Sequence, residues 1–188
     1  IVSAIQSDFG ARSRDMTLLT DVAAAIGPLK QARAELERWM APQTRKVTPA
    51  ALGMLGARAE VRYQPKGVVG VMTPWNFPVQ LAMDAIAGAF AAGNSVMLKP
   101  SEFTPATSAL LAQVLDLYFD EDELAVVLGG PEVGAAFSRL PFDPLIFTGA
   151  TSIGRHVMRA AADNLTPLTL ELGGKSPVII GSGADIAK

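Results

Sequence analysis

The feature that most constrains the fold is a regular alternation, after residue 67, of short apolar runs with amphipathic stretches. The runs have the length of strands, and the stretches between them carry apolar residues at helical spacing. Buried strands that alternate with helices are typical of a parallel sheet covered on both faces. The sequence therefore predicts an α/β fold, a doubly wound, Rossmann-like parallel sheet with helices on both faces. The predicted strands are 68–72, 95–98, 124–128, 145–147, 168–172 and 178–180, and the predicted helices between them are 79–92, 104–118, 132–138 and 152–163.

The chain before this alternation has a different pattern. Residues 12–40 carry apolar side chains at helical spacing, and residues 57–64 alternate as a strand does before the turn at 65–67. We therefore expect two parts. Residues 1–56 form an N-terminal helical segment, and residues 57–188 form a dinucleotide-binding domain.

Composition excludes several classes of function. The 188 residues include 16 Lys and Arg against 18 Asp and Glu, a net charge of −2, so a nucleic-acid partner is not expected. Cysteine is absent and His156 is the single histidine, which argues against a metal site. The weakly charged stretch 67–98 is interrupted by Pro, Gly and Asn, so it predicts a buried core and no membrane segment.

The ends of the chain and its redox chemistry lead to two further expectations. The sequence opens on Ile1 and stops at Lys188, and neither end resembles a natural terminus, so we expect a fragment of a longer protein. A reducing, cytoplasmic location is the default for a chain without cysteine or a targeting segment.

Glycine, proline and polar residues follow each of the first four strands of the predicted sheet. Because the carboxyl ends of parallel strands meet at one edge, these loops predict a nucleotide cleft. At 149–154 the amides of a helix start could meet a pyrophosphate, although a tight turn explains this spacing equally well. After the second strand, Lys99 and Glu102 could bind ribose hydroxyls, or they could be a surface lysine and a carboxylate at a helix start.

Together these loops resemble motifs of the NAD(P)-dependent aldehyde dehydrogenase family, in the same order along the chain. The loop TPWNFP is similar to the family's oxyanion-asparagine loop, KPSE to its ribose contact, FTG to its pyrophosphate turn and LELGGK to its general-base signature. The segments 63–70 and 165–170 resemble the class-three branch, and within it the bacterial coniferyl aldehyde dehydrogenases. The motifs occupy 73–78, 99–102, 147–149 and 170–175.

The resemblance implies a cofactor, NAD with NADP possible, and a set of residues that hold it. Glu102 favours NAD, because a carboxylate beside the ribose repels a 2′-phosphate. Ala150 stands where the family often has serine, which removes one possible phosphate contact. The implied cofactor-binding residues are Thr73, Pro74, Trp75, Lys99, Ser101, Glu102, Gly130, Phe147, Thr148, Gly149, Ala150, Ile153, Leu172 and Gly173.

The resemblance also implies an activity, the oxidation of a small-molecule aldehyde to a carboxylic acid through a cysteine thioester. Asn76 would donate its side-chain amide to the oxyanion, and Glu171, in an apolar setting, would be the general base for hydrolysis. From local pattern alone, Asn76 is also compatible with a turn residue and Glu171 with a partly buried, lysine-paired carboxylate. The nucleophilic cysteine would lie beyond Lys188, and the full-length protein is expected to be a homo-oligomer.

Two other functions stay open at this point. The first is a non-catalytic dinucleotide-binding or assembly module that has no thiol. The second is a CoA-acylating aldehyde dehydrogenase, against which Glu171 argues, because release of the acyl group to CoA requires no base for water.

Overall fold

The computed structural model describes residues 1–183, in which a five-stranded parallel sheet carries helices on both faces. This confirms the predicted fold class. The strands are β1 Gln43–Arg45, β2 Ala59–Val61, β3 Val68–Met72, β4 Ser95–Lys99, β5 Leu124–Val126, β6 Leu145–Gly149 and β7 Leu168–Leu172. The helices are α1 Val2–Phe9, α2 Arg14–Thr17, α3 Ala24–Met40, α4 Ala50–Met54, α5 Gln80–Ala91, α6 Pro105–Asp116, α7 Pro131–Phe137 and α8 Thr151–Ala162, with a π-helical stretch Leu18–Ala23 between α2 and α3.

The strand order of the sheet is β5-β4-β3-β6-β7, and all four pairings are parallel. The order runs outward from β3 in one direction through β4 and β5, then returns to continue through β6 and β7. The reversal leaves a crevice at the carboxyl ends of β3 and β6, which is where ligands bind in doubly wound sheets.

The two faces of the sheet each carry a hydrophobic core. Val69 and Val71 point to one face, where they pack with residues of α1, α3, α5 and α6. Met72 points to the other face and packs with Phe137 of α7 and Val157 of α8. Alternate residues of β3 thus serve opposite cores, as the two-residue repeat of a strand requires.

The N-terminal helices are packed against the sheet domain. Asp8 of α1 accepts hydrogen bonds from the N-terminus of α6, and α3 lies along α5. The predicted N-terminal helical segment is confirmed, whereas its boundary at residue 56 stays a prediction. No helix within residues 1–183 is long and apolar enough to cross a bilayer.

Two of the predicted strands differ from the structure. The strand predicted at 57–64 is only Ala59–Val61, and it pairs antiparallel with β1 outside the main sheet. Its charged residues at 58, 60 and 62 suit an exposed ribbon better than a buried sheet.

The strand predicted at 178–180 is wrong. These residues are not assigned to any strand, and Val178 and Ile179 are 82% and 93% exposed. A short apolar run forms a strand only where a neighbouring strand accepts its hydrogen bonds, and none lies beside it in the described chain.

Candidate functional site

A cavity of ≈ 760 Å³ lies at the carboxyl ends of β3, β4 and β6. It opens at the point where the strand order reverses. Its size is within the range of about 300–1,000 Å³ that is typical of cofactor and small-molecule sites. The structure brings many of the sequence-predicted residues together on its wall: Thr73, Pro74, Trp75, Lys99, Ser101, Glu102, Phe147, Thr148, Gly149, Ala150 and Ile153.

A partly buried ion pair lies on the wall of this cavity. Lys99, only 3% exposed, donates from Nζ to Glu102 Oε2 at 3.0 Å and to the carbonyl oxygen of Pro100 at 3.1 Å. Lys99 ends β4 and Glu102 follows after one short turn, so the fold itself places the two side chains side by side. The pair offers a cation and an acceptor to any ligand that enters.

The ionisation of Glu102 follows from these contacts. Burial alone would raise the pKa of its carboxyl group. Hydrogen bonds from its own main chain and from Lys99, together with the charge of Lys99, outweigh burial and leave the pKa lowered. Glu102 is therefore an ionised acceptor at neutral pH, which suits a hydroxyl donor such as a ribose.

The N-terminus of α8 faces the same cavity. Gly149 ends β6, and Ala150, the N-cap residue of α8, makes no capping hydrogen bond through its side chain. Gly154 lets the helix approach the sheet closely, because a Cβ there would fall 2.8 Å from Leu172 Cδ2. First-turn N–H groups without a side-chain cap, at the positive end of a helix dipole, suit an anion such as a phosphate.

Thr73 lines the cavity and carries a buried hydroxyl. The residue is 7% exposed, and its Oγ1 has no hydrogen-bond partner among residues 1–183. An unpaired buried hydroxyl is destabilising, and most such groups in proteins have a partner. This oxygen is itself buried, as are those of Thr17 and Thr166, so its unpaired state does not indicate a ligand in the cavity.

Five of the sequence-predicted residues do not line the cavity: Asn76, Gly130, Glu171, Leu172 and Gly173. Gly130 directly precedes Pro131, which does. Asn76 follows the wall residue Trp75 in an exposed loop, and its carbonyl oxygen accepts a hydrogen bond of 2.7 Å from Arg12 Nη2.

Glu171 lies one strand away from the wall. It pairs in parallel register with Thr148 across β6 and β7, as Leu172 does with Gly149. The apolar setting predicted for Glu171 is not found, because Glu171 is exposed to solvent in the part of the chain that the structure describes. The physical reason is that β7 has a neighbouring strand on one side only within the described chain.

Sequence reasoning predicted helices α7 and α8 but missed most of the residues by which they line the cavity. Their facing residues share a spacing of three or four, so a single face of each helix is used. A Cβ added at Gly134 would lie 3.5 Å from Lys99 Cε, which shows how closely α7 approaches the ion pair. The missed wall residues of α7 and α8 include Pro131, Gly134, Ala135, Ser138, His156, Val157 and Ala160.

The sequence contained a signal for these wall residues, but the same signal is also typical of packed cores. Small residues at helical spacing, such as Gly134 and Ala160, allow a ligand to approach a helix, but they also occur in tightly packed cores. His156, which the sequence did not connect with the site, lies on the cavity wall and is exposed.

Comparison with known proteins gives a consistent result. The model of the aldehyde dehydrogenase family matches residues 2–188. A probable coniferyl aldehyde dehydrogenase of Caulobacter vibrioides is 63% identical over 187 residues, which is 100% of this chain and 39% of that protein. An aldehyde dehydrogenase of Arabidopsis thaliana, family 3 member H1, is 41% identical over 99% of this chain and 38% of its own length.

The fold has a close counterpart among solved structures. An aldehyde dehydrogenase of Mycobacterium tuberculosis, complexed with NAD+, superposes with a TM-score of 0.81 and is 34% identical. The match covers 99% of this chain and 37% of that one. The chain thus spans well under half the length of the relatives it matches, and they confirm the resemblance that the sequence motifs predicted.

Proposed function

The chain belongs to the aldehyde dehydrogenase family, and we propose that it forms the NAD(P)-binding part of an enzyme that oxidises an aldehyde to a carboxylic acid. The observation that carries the proposal is that the Lys99–Glu102 pair and the N-terminus of α8 share one cavity. A cavity whose wall offers both an acceptor for hydroxyls and helix amides for phosphate meets the requirements of a dinucleotide.

The residues present fit such a cofactor. Glu102 and Lys99 would hold the adenosine ribose, the amides that follow Gly149 would hold the pyrophosphate, and Thr73 would contact the ligand from the end of β3. When bound, NAD would supply the hydride acceptor. The remaining residues proposed to bind it are Pro74, Trp75, Ser101, Gly130, Phe147, Thr148, Ala150, Ile153, Leu172 and Gly173.

The proposed chemical roles fall on Asn76 and Glu171. The side-chain amide of Asn76 would donate to the oxyanion that forms when a cysteine thiolate adds to the aldehyde carbon. Glu171 would accept a proton from the water that hydrolyses the resulting thioester. Its exposure in residues 1–183 leaves the carboxylate accessible to that water.

A binding experiment on this chain tests the cofactor site. NAD+ binding is measured by saturation-transfer NMR, which detects weak ligands, for the chain of residues 1–188, for Lys99→Met and for the control Lys66→Met. Lys99 is buried in the cavity wall, whereas Lys66 is exposed and remote from it. Loss of a charged hydrogen-bond donor costs about 1.5–3 kcal/mol, so Lys99→Met should bind NAD+ at least tenfold more weakly than the unsubstituted chain. Lys66→Met should bind it as the unsubstituted chain does. Equal binding by the two variants would count against the site.

A second experiment tests the reaction. The coding sequence is read beyond Lys188, where we expect a cysteine in a glycine-containing loop. In the protein encoded by the whole reading frame, Glu171→Gln should block acid formation in the steady state and spare the first hydride transfer, seen as a burst of NADH. Undiminished acid formation would remove Glu171 from this role, and a reading frame without that cysteine would favour a non-catalytic module.

Several further properties of the whole protein are proposals. The name of the Caulobacter vibrioides relative favours an aromatic aldehyde of the coniferyl type as the substrate. NAD is the proposed cofactor, with NADP as the alternative, and the Mycobacterium tuberculosis structure is a complex with NAD+. A cytoplasmic location, a homo-oligomer and the boundary between residues 56 and 57 are kept as proposals.

A further inference from the structure

Arg12, from the N-terminal helical segment, contacts the loop that carries Asn76. Its Nη2 donates to the main-chain carbonyl oxygen of Asn76 at 2.7 Å, across 64 residues of sequence. The bond uses the main chain of Asn76, so the side-chain amide remains able to donate to a ligand. Arg12 thus fixes the backbone of this residue without occupying its functional group.

Asp21 holds the same loop at its other end. Its Oδ2 lies 3.2 Å from Nη1 of Arg12, and its Oδ1 accepts from the main-chain N–H of Val79 at 3.2 Å. Val79 is the N-cap residue of α5, so the carboxylate binds the start of the helix that follows the loop. One ion pair therefore holds the chain at residue 76 and again at residue 79.

The surroundings of this pair make it rigid. The side chain of Asp21 is 0% exposed and that of Arg12 is 17% exposed. The guanidinium carbon of Arg12 lies 4.1 Å from the centre of the Phe9 ring and 5.4 Å from that of Phe77. A planar cation between two rings, with both edges hydrogen-bonded, has little freedom to move.

From these contacts we propose that Arg12 and Asp21 form a positioning pair that holds the Asn76 amide in place for the oxyanion. The inference rests on the proposed function, because it assumes that Asn76 is the oxyanion donor. Asn76 itself is exposed in a loop between β3 and α5. An oxyanion donor acts only when it is fixed before the charge develops, so such a loop requires external support.

The conservative substitution Arg12→Lys separates positioning from folding. Lysine keeps a positive charge beside the buried Asp21 carboxylate, so that charge stays paired. An ammonium is a single point donor and does not reproduce the planar fork that joins Asp21 to Asn76. Arg14→Lys is the matched control, since Arg14 is exposed two residues further along.

The first readout is hydrogen exchange on the chain of residues 1–188, which requires no activity. In Arg12→Lys, peptides that cover residues 73–80 should exchange at least tenfold faster than in the unsubstituted chain, while peptides from β3 remain unchanged. Arg14→Lys should leave both regions unchanged. Equal exchange of residues 73–80 in all three proteins would overturn the inference.

The second readout is a double-mutant cycle in the protein encoded by the whole reading frame. Asn76→Ala should lower kcat by about 10²–10³-fold, and Arg12→Lys by about tenfold or more, with the KM for NAD+ unchanged. Once Asn76 is alanine, Arg12→Lys should lower kcat by no more than about twofold, because the group that it positions is gone.

The outcomes separate the inference from the proposed function. Losses that multiply in the double variant, or an Arg12→Lys enzyme as active as Arg14→Lys, would overturn the positioning pair alone. Full activity in Asn76→Ala would overturn the role of Asn76 and the inference with it. Absence of aldehyde oxidation in the unsubstituted protein would overturn the proposed function and the oxyanion role of Asn76 with it, and hydrogen exchange would then decide only whether Arg12 holds residues 73–80.

Discussion

The carboxylate of Asp8 accepts two hydrogen bonds from Thr107, one from its main-chain N–H at 2.8 Å and one from its hydroxyl at 2.7 Å. The same carboxylate accepts from the N–H of Ala106 at 2.9 Å. These groups belong to the first turn of α6, whose N-cap residue Thr104 makes no side-chain capping bond. A residue of α1 thus caps α6 from a distant part of the sequence.

Removal of this cap should destabilise the protein. Asp8→Ala leaves two first-turn N–H groups of α6 and the buried Thr107 without their acceptor, and we expect a loss of about 1–2 kcal/mol in the free energy of unfolding. Asp84→Ala, at an exposed position of α5, is the control and should change it by no more than about 0.5 kcal/mol. Urea unfolding followed by circular dichroism measures both, and equal stability of the two variants would contradict the capping role.

Two glycines should respond to alanine in opposite directions. A Cβ at Gly70, in β3, would fall 2.5 Å from Phe142 Cδ2 and 2.8 Å from Leu145 Cδ1, both of which are buried. We expect Gly70→Ala to destabilise by about 1–3 kcal/mol through overpacking. Gly88, exposed in α5, has no atom within 4 Å of the added Cβ, so Gly88→Ala should stabilise by about 1 kcal/mol. Thermal unfolding should give the highest melting temperature for Gly88→Ala, an intermediate one for the unsubstituted chain and the lowest for Gly70→Ala. Any other order would contradict the packing described for these two glycines.

The lowered pKa of Glu102 predicts a loss of stability in acid. A carboxyl group with a depressed pKa in the folded state stabilises the fold above its unfolded value, and this contribution is lost as pH falls through the folded value. The window for Glu102 therefore lies below pH 4.5, its ordinary value. The difference in unfolding free energy between the unsubstituted chain and Glu102→Gln should be largest near neutrality and shrink as pH falls from about 5 to about 3. A difference that is constant over this range would show that ionisation of Glu102 does not contribute.

The charge of Glu102 should also set cofactor preference. In the proposed site a carboxylate beside the ribose repels a 2′-phosphate, and Lys99 at 3.0 Å offsets part of that repulsion. Glu102→Gln should weaken NAD+ binding and strengthen NADP+ binding relative to it, shifting the ratio of the two Kd values by about tenfold. Competition between the two cofactors in saturation-transfer NMR measures the ratio. Glu132→Gln is the control on α7, and an identical ratio in both variants would place the ribose elsewhere.

The parts of the fold that follow from sequence are those with a local cause. The strands β3, β4, β6 and β7 are apolar runs between turns, and their predicted bounds agree with the structure to within two residues. Helix α1 was predicted only as part of the helical segment 1–56 and not with its own bounds, because an eight-residue helix has little stability alone and depends on the docking of Ile5 and Asp8 against the rest of the protein. The strand predicted at 178–180 was wrong because apolar character alone does not supply a neighbouring strand to accept its hydrogen bonds.

The residues of the candidate site likewise fall into those that strand topology places and those that depend on distant contacts. Loops at the ends of parallel strands meet at one edge as a matter of topology, so the sequence alone is enough to bring Lys99, Glu102 and Gly149 together. Arg12 could not be placed there, because its contact with Asn76 joins residues 64 positions apart and depends on how the N-terminal helices dock. Sequence pattern identifies the face of an element more readily than the partner on which that face rests.

The Asp8–Thr107 contact also constrains the order in which this molecule can assemble during its synthesis. The acceptor leaves the ribosome 99 residues before its donor. At about 5–20 residues per second, α1 waits some seconds for the helix it caps. Helix α1 is thus made well before the helix that it caps, and until residues 105–107 have emerged the carboxylate of Asp8 lacks its partners in α6.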